Sequence, residues 1–444
     1  MKPYPKYKDS LINWVGKIPE DWDVTRLGNI GKFSSSGIDK KTLPNQPLVK
    51  MINYMNIYGN KDKVLDDKRE YMVVSVSEEQ KEKHPVKKGD LIFTPSSETE
   101  IDIGLSAVID CELPNTVFSY HVLRFEFKNE VNHSYKKYLC NNPNVLFYFS
   151  ANCKGTTRQI LGRDEFRNAL VILPPLKEQE IISKYLDKYT LFIEKLVSKK
   201  EKLIELLKEK RQSLINNSVT KGINTKAKMK DSGIEWIGFI PEKWETSIIS
   251  RICDKITNGY VGPTRDILKD KGIRYIQSLH IKNNQIIFNH PYYVSEEWSN
   301  EHSRSILQKN DILIVQTGDI GQVAVVNEEF VGCNCHALIL ITPKKTINSK
   351  FFSFLLNSNF GFHSLKSIQT GALHPHLNSS NVKEIFIPIP PLPEQQQIVY
   401  YIETETSKID KTVSKIEKEI ELLNEYKTSL IYEAVTGKID LRSE

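Results

Sequence analysis

Asp110, Glu126 and Lys128 come nearest in this chain to a catalytic set. An acidic residue followed by Glu-x-Lys has the form of a nuclease site, where carboxylates hold Mg²⁺ and the lysine steadies a hydroxide. That makes a Mg-dependent DNA nuclease in the first half of the chain the alternative reading. It weakens at once, because the matched positions for Glu126 and Lys128 in the second half are Ile341 and Pro343. Cys333-x-Cys335-His336 has the letters of a metal site, but no second ligand pair with zinc spacing accompanies it. On a strand, Cys333 and Cys335 share a face with Val331 and Ala337, which reads as core, so no metal ligand is assigned. The chain has neither a Gly-x-x-x-x-Gly-Lys-Ser/Thr phosphate loop nor an Asn/Asp-Pro-Pro-aromatic methyltransferase motif. It reads as a chain that binds rather than reacts.

The elements behind these residues occur twice. Pro174-Pro175-Leu176-Lys177-Glu178-Gln179 returns as Pro390-Pro391-Leu392-Pro393-Glu394-Gln395, and Val219-Thr220 returns as Val435-Thr436 at the same offset. Such self-similarity marks a duplicated architecture. Between these points the apolar residues step by three and four, as an a/d seam does. They are Ile193, Val197, Ile204, Leu207 and Leu214 in one copy, and Ile409, Val413, Ile416, Ile420, Leu423 and Leu430 in the other. Lys200, Arg211 and Lys427 interrupt the seam. Prolines suit the start of a helix, and Gly222 and Gly437 stand where one would stop. About 40 helical residues make a rod of roughly 60 Å. One half-apolar rod needs a partner, and the other copy supplies it.

A second repeat precedes each globular segment. Lys8-Asp9-Ser10, Trp14, Gly16, Ile18-Pro19-Glu20 and Trp22 reappear as Lys230-Asp231-Ser232, Trp236, Gly238, Ile240-Pro241-Glu242 and Trp244. Paired tryptophans around a Gly…Pro turn read either as a docking clip or as part of the neighbouring core. Between clip and rod, residues 23–172 and 245–388 share only landmarks. Asp90-Leu91-Ile92-Phe93 matches Asp311-Ile312-Leu313-Ile314, and Tyr120-His121-Val122-Leu123 is set against Cys335-His336-Ala337-Leu338. Short β-branched and aromatic runs bounded by Gly, Pro, Asn or Asp read as strands, with helical patches at 134–149 and 349–365. The expected fold class is α+β. Two strand-rich domains are joined by two long helices that pair as an antiparallel coiled coil, with pseudo-twofold internal duplication. The expected segments are 1–172, 173–222, 223–389 and 390–444.

Composition narrows the setting. With 39% hydrophobic and 26% charged residues the chain is an ordinary globular protein, and no apolar run approaches a membrane span. Met1-Lys2-Pro3-Tyr4-Pro5-Lys6 has no apolar core of a secretory signal, and six scattered cysteines make no disulfide framework. A cytoplasmic location is expected. The net charge of +6 is compatible with a polyanionic partner without requiring one.

The order clip, globule, rod, twice over, resembles the DNA-specificity subunit of type I restriction–modification systems. The likeness is carried by the two Pro-Pro-Leu-x-Glu-Gln openings, the two Trp-x-Gly…Ile-Pro-Glu-x-Trp clips, and the endings Val219-Thr220-Lys221-Gly222 and Val435-Thr436-Gly437-Lys438. It spans essentially the whole chain. The resemblance implies two target-recognition domains, each reading half of a bipartite double-stranded DNA site. It also implies a helical spacer and a scaffold for two modification (methyltransferase) subunits, joined by restriction (endonuclease and translocase) subunits. S-adenosylmethionine, ATP and Mg belong on those partners, with no cofactor in this chain.

The family's variable part transfers no base-contacting residues, so these are nominated on chemistry. Asn53, Asn56, Gln277 and His280 punctuate apolar strands, and Asn or Gln can grip adenine in the major groove. Lys40, Lys41 and Arg265 flank the loops at Ser36-Gly37 and Asn258-Gly259 and suit phosphate contacts. Arg158 and Gln159, with His374 and His376, follow matched glycines, and Tyr54, Tyr58 and Tyr260 offer faces for sugar or thymine methyl.

Overall fold

The computed structural model describes residues 2–371 and 375–443. It contains two compact units. The first comprises residues 1–200 with 418–444, and the second residues 201–417. Both long helices, Leu176–Lys221 and Leu392–Val435, therefore contribute to each unit.

In the first unit a five-stranded sheet runs in the order Gly31–Ser34, Leu123–Phe127, Leu91–Phe93, Ser106–Ile109, Val64–Leu65. All its pairings are antiparallel except the last. A smaller sheet sets Leu48–Ile52 between Thr116–Phe118, parallel, and Met72–Ser75, antiparallel. The second unit repeats the scheme. Cys253–Asn258, Leu338–Pro343, Ile312–Val315 and Val323–Val325 form an antiparallel sheet. In a smaller sheet Ile273–Ile276 pairs in parallel with Asn334–Cys335. The strand entering each globule pairs with the strand leaving it, Asp23–Arg26 with Leu170–Leu173 and Glu245–Ile248 with Phe386–Ile389. Each globule is thus closed before its helix begins.

Both expected helical patches break in two. Lys136–Cys140 and Pro143–Asn152 replace one helix, and Ser349–Leu356 and Asn359–Ser367 replace the other. The cause is a cap inside each run. Asn142 accepts from Val145 N with Pro143 at the first helical turn, and Ser358 accepts from Gly361 N.

The repeated motifs act as a junction. Gln179 is buried, donates to Pro174 O at 2.8 Å and accepts from Asn132 N at 2.9 Å. Gln395 does the same with Pro390 O and Asn348 N. Glu178 accepts from Tyr4 Oη at 2.7 Å and from Trp22 Nε1 at 3.1 Å. The clip meets the other helix at its terminal glycine. Gly437 has φ +68° and leaves no room for a Cβ, which would lie 2.3 Å from Pro19 Cδ. Gly222, at φ +73°, sits likewise against Pro241, Trp244 and Glu394. One glutamine and one glycine per unit therefore join globule, clip and helices, whereas the glutamate bonds the clip in the first unit and in the second Trp244 Nε1 is buried without a hydrogen bond. The two readings of the tryptophans divide between them. Trp22 and Trp244 are buried core, whereas Trp14 and Trp236 stay exposed against Phe147 and His363.

The helices pair antiparallel along the expected seam. Ile193, Ile409, Ile416 and Leu430 are buried. Val197, Leu423 and Leu214 pack against the unit cores. Ile204, Leu207, Val413 and Ile420 are half-buried. The charged interruptions are ion pairs across the seam: Lys200 with Glu419 at 2.6 Å and Lys427 with Glu194 in the first unit, and Arg211 with Asp410 at 2.9 Å in the second. In the first unit the partner number falls as the first helix advances, which fixes the antiparallel sense.

Candidate nucleic-acid interface

Four of the nominated side chains lie elsewhere than expected. Asn53 and Asn56 are not on a strand but at the junction where Leu48–Ile52 turns into the short helix Tyr54–Tyr58. Asn53 Oδ1 accepts from Met55 N, Asn56 Oδ1 accepts from Asn53 N, and Asn56 Nδ2 donates to Glu70 O. Gln277 and His280 form the matching cap after Ile273–Ile276. His280 Nδ1 accepts from Gln277 N, Nε2 lies 2.7 Å from His290 O, and the ring is wholly buried. Burial holds its proton affinity below the ordinary histidine value, consistent with Nδ1 acting as an acceptor. A polar residue after an apolar run is read equally as a strand break or a strand face, and here the break prevails. These groups shape the junction, and His280 presents no surface to a ligand.

Ser36 and Gln159 are also committed internally. Ser36 Oγ donates to Phe118 O and accepts from Ile38 N. Gln159 is buried and donates to Gly155 O at 3.0 Å. His374 lies outside the described residues.

The others remain at the surface. Lys40 and Lys41 are exposed beyond Gly37, with Lys41 Nζ 3.6 Å from Asp39. Arg158 is exposed on the loop closed by the Lys154–Ile160 bridge. Burial first, then the Arg158 and Lys40 charges, lowers the proton affinity of His121, against an opposing influence of Asp39. Arg163 Nη2 donates to Ser35 Oγ at 2.8 Å beside the same loop. Tyr54 stacks on Tyr58 at 5.2 Å.

In the second unit Arg265 is exposed, and His376 is exposed while bridging Thr370 through its backbone. Asn258 ends the Cys253–Asn258 strand with its Oδ1 buried and without a hydrogen bond. Tyr260 lies in an aromatic group, 5.1 Å from Trp298, 5.0 Å from His302 and 6.4 Å from His336.

The match of Tyr120-His121-Val122-Leu123 with Cys335-His336-Ala337-Leu338 holds at its leucines and slips by two positions before them. Phe118 stands opposite Ile52 as Cys335 stands opposite Ile276, with Ser119 N donating to Ile52 O and His336 N to Ile276 O. Leu123 and Leu338 then open the matching strands of the larger sheets. The crossover between sheets is thus residues 119–122 in one unit and 336–337 in the other. Only the strand pairing reveals the two extra residues.

The catalytic and metal alternatives separate in space. Asp110 pairs with His133 at 2.8 Å, whereas Glu126 pairs with Lys87 at 3.0 Å. Leu91–Phe93 lies between the strand that carries Glu126 and the one that Asp110 follows, so about two interstrand spacings, roughly 10 Å, divide their backbones, and each carboxylate has its own partner. Cys333 and Cys335 are buried in one apolar cluster, and burial pushes their thiols up to about 11 and about 12. The strand here is only Asn334–Cys335, and Val331, expected on its inner face, is exposed after the turn Glu328–Phe330.

Comparison with known proteins bears on these surfaces as a whole. The family described as type I restriction modification DNA specificity domain matches residues 19–206 and again 241–422. The EcoBI specificity subunit of Escherichia coli is 28% identical over 305 residues, covering 67% of this chain and 64% of that relative's length. The MjaVIII specificity subunit of Methanocaldococcus jannaschii is 21% identical over 96% of this chain and 95% of its own. Among solved structures, a chain from work on complex assembly and conformational transition of the type I R-M system superposes with a TM-score of 0.73. It has 16% identity and covers 95% of this chain and 99% of its own. The HsdS subunit from Thermoanaerobacter tengcongensis gives 0.56, also at 16% identity, over 95% and 98%. At that identity the structures speak for the fold alone. With the family's domain present twice, over most of its length, on a duplicated clip–globule–helix frame, this chain belongs to the type I restriction–modification DNA-specificity family and is a specificity subunit, a recognition protein rather than an enzyme.

Proposed function

We propose that each unit reads one half of a bipartite double-stranded DNA site and that the paired helices set the distance between the halves. The heads lie within 1–172 and 223–389, and the spacer is 173–222 with 390–444. The observation that carries this reading is unequal divergence within one duplication. The junction residues Gln179/Gln395, Glu178/Glu394 and Gly222/Gly437 recur unchanged, while the surfaces around Lys40–Arg158 and Tyr260–His336 differ in kind. A constant frame with unlike heads is what two readers of two sequences require.

Lys40, Lys41, Arg158 and Arg265 are assigned to phosphates, which position the heads. Tyr54, Tyr260, Asn258 and His376 are assigned to groove edges and sugars. The scaffold docks two modification subunits, with restriction subunits joining them, and these partners carry S-adenosylmethionine, ATP and Mg. A cytoplasmic location, beside the DNA it reads, is part of this proposal; no described helix is long and apolar enough to cross a membrane.

The test is a length change. One heptad is inserted into each long helix, between residues 200 and 201 and between 417 and 418. Seven residues add about 10 Å of helix, or roughly three base pairs at 3.4 Å each. The preferred spacer is expected to lengthen by about that much with both half-sites unchanged. An unaltered spacer in a folded, DNA-binding variant would end the ruler reading.

A further inference from the structure

The crossover between the two sheets of each unit is where the duplicated folds agree in backbone and disagree in chemistry. In the first unit the chain leaves the smaller sheet at Phe118, turns through residues 119–122, and enters the larger sheet at Leu123. In the second it leaves at Cys335 and enters at Leu338. Both turns face the loop after the sheet's outer strand through the same hydrogen bond, Tyr120 N to Ile38 O and Ala337 N to Tyr260 O. Each turn carries one imidazole. His121 packs against the exposed Tyr120 with ring centroids 3.8 Å apart and the rings tilted by 35°, within electrostatic reach of Arg158, Lys40 and Asp39. His336 is half-buried, with Nδ1 3.3 Å from Tyr275 Oη and Tyr260 alongside.

We propose that these crossovers are the base-reading points of the two units, with His121 determining specificity in the first half-site and His336 in the second. The inference rests on the half-site reading above and names the residues behind it. A neutral imidazole offers one donor and one acceptor, which suits a base edge, and the exposed Lys40 and Arg158 of the first unit suit phosphates. Both rings are biased toward the neutral form. Burial first, then Arg158 and Lys40, lowers the proton affinity of His121, and burial lowers that of His336. The second crossover is two residues shorter and lined by aromatic rings rather than cations, so the same backbone point presents a different surface. Two unlike sequences can then be read in one geometry.

The experiment is methylome sequencing of cells that express the full chain with its modification subunits, comparing wild type with His121→Ala and with His336→Gln. The glutamine keeps a donor and an acceptor beside Tyr275, so the half-buried site stays filled. Each variant is expected to lose about tenfold or more of its discrimination at one or two positions of one half-site, leaving the other half-site intact. Lys40→Ala with Arg158→Ala should instead weaken methylation evenly across sequences and reduce its salt sensitivity. A His121→Ala protein that keeps full discrimination at every base overturns the proposal, as does relaxation spread over both halves. A wild-type motif lacking two parts would instead defeat the half-site reading itself, so the two failures are distinguishable.

Discussion

Exchanging residues 23–172 for the matching segment of a specificity subunit with another target is expected to replace one half-site and leave the other unchanged. The exchange is confined by the structure. The segment begins and ends at the paired strands Asp23–Arg26 and Leu170–Leu173, which close the globule on itself. Outside it remain Trp22, Glu178 and Gln179, the contacts that fasten head to clip and helix. Inside it lie Asn132, whose backbone N–H meets Gln179, and the exposed Lys40 and Arg158. Because Gln179 takes hold of a backbone group, an incoming head needs only the same turn there. Each wrong base pair typically costs about 1–3 kcal/mol. A three-base half-site therefore accounts for roughly 3–9 kcal/mol of discrimination that should transfer with the head. The readout is the methylated motif, and simultaneous change of both halves would refute independent heads.

Arg124→Ala is expected to be the most damaging single change within the first unit. Arg124 Nε donates to Asp90 Oδ2 at 2.6 Å, with the two side chains 8% and 4% exposed. Asp90 also accepts from Lys87 N at 2.8 Å, so it fixes the turn leading into Leu91–Phe93. Removing the guanidinium strands a buried carboxylate, at a cost of about 3–5 kcal/mol. Burial already raises the Asp90 carboxyl above its ordinary range even with Arg124 beside it. Without Arg124 the carboxyl rises further, and an acid whose folded pKa is raised destabilises the fold as pH rises through it. The deficit should therefore narrow as pH falls. The double change Arg124→Met with Asp90→Leu should recover part of the loss, because a buried pair replaced by apolar groups is often neutral, while Lys87 N still loses its acceptor. In the second unit Asp311 instead accepts from Thr342 Oγ1 at 2.6 Å, so Thr342→Val should cost only about 1–3 kcal/mol. Urea unfolding of each variant at pH 5 and pH 8 measures this. A loss below about 1 kcal/mol for Arg124→Ala would show that the ion pair is not what holds that turn.

The frame was legible because its determinants are local and repeated. An a/d seam, prolines at helix starts and glycines at helix ends each act within a few residues, and two copies at constant offset show them twice. The junction chemistry was not legible. That Gln179 reaches Asn132, or that Pro19 packs on Gly437, depends on residues 47 and more than 400 positions apart. The surface nominees fared unevenly for a related reason. Asn53, Asn56, Gln277 and His280 have side chains that serve a base edge and a helix cap equally well, and nothing local distinguishes the two uses. Charged residues such as Lys40 and Arg158 stayed at the surface because burial without a partner is costly. The two-residue difference between crossovers sat inside aligned letters and emerged only from strand register.

The proposal that two unlike sequences are read at one fixed separation is tested most directly by single-molecule methylome sequencing of cells expressing this chain with its modification subunits. It predicts one motif of two short, different blocks divided by an unread run of constant length, methylated in both blocks. A single continuous motif, or two blocks whose spacing varies freely, would contradict it.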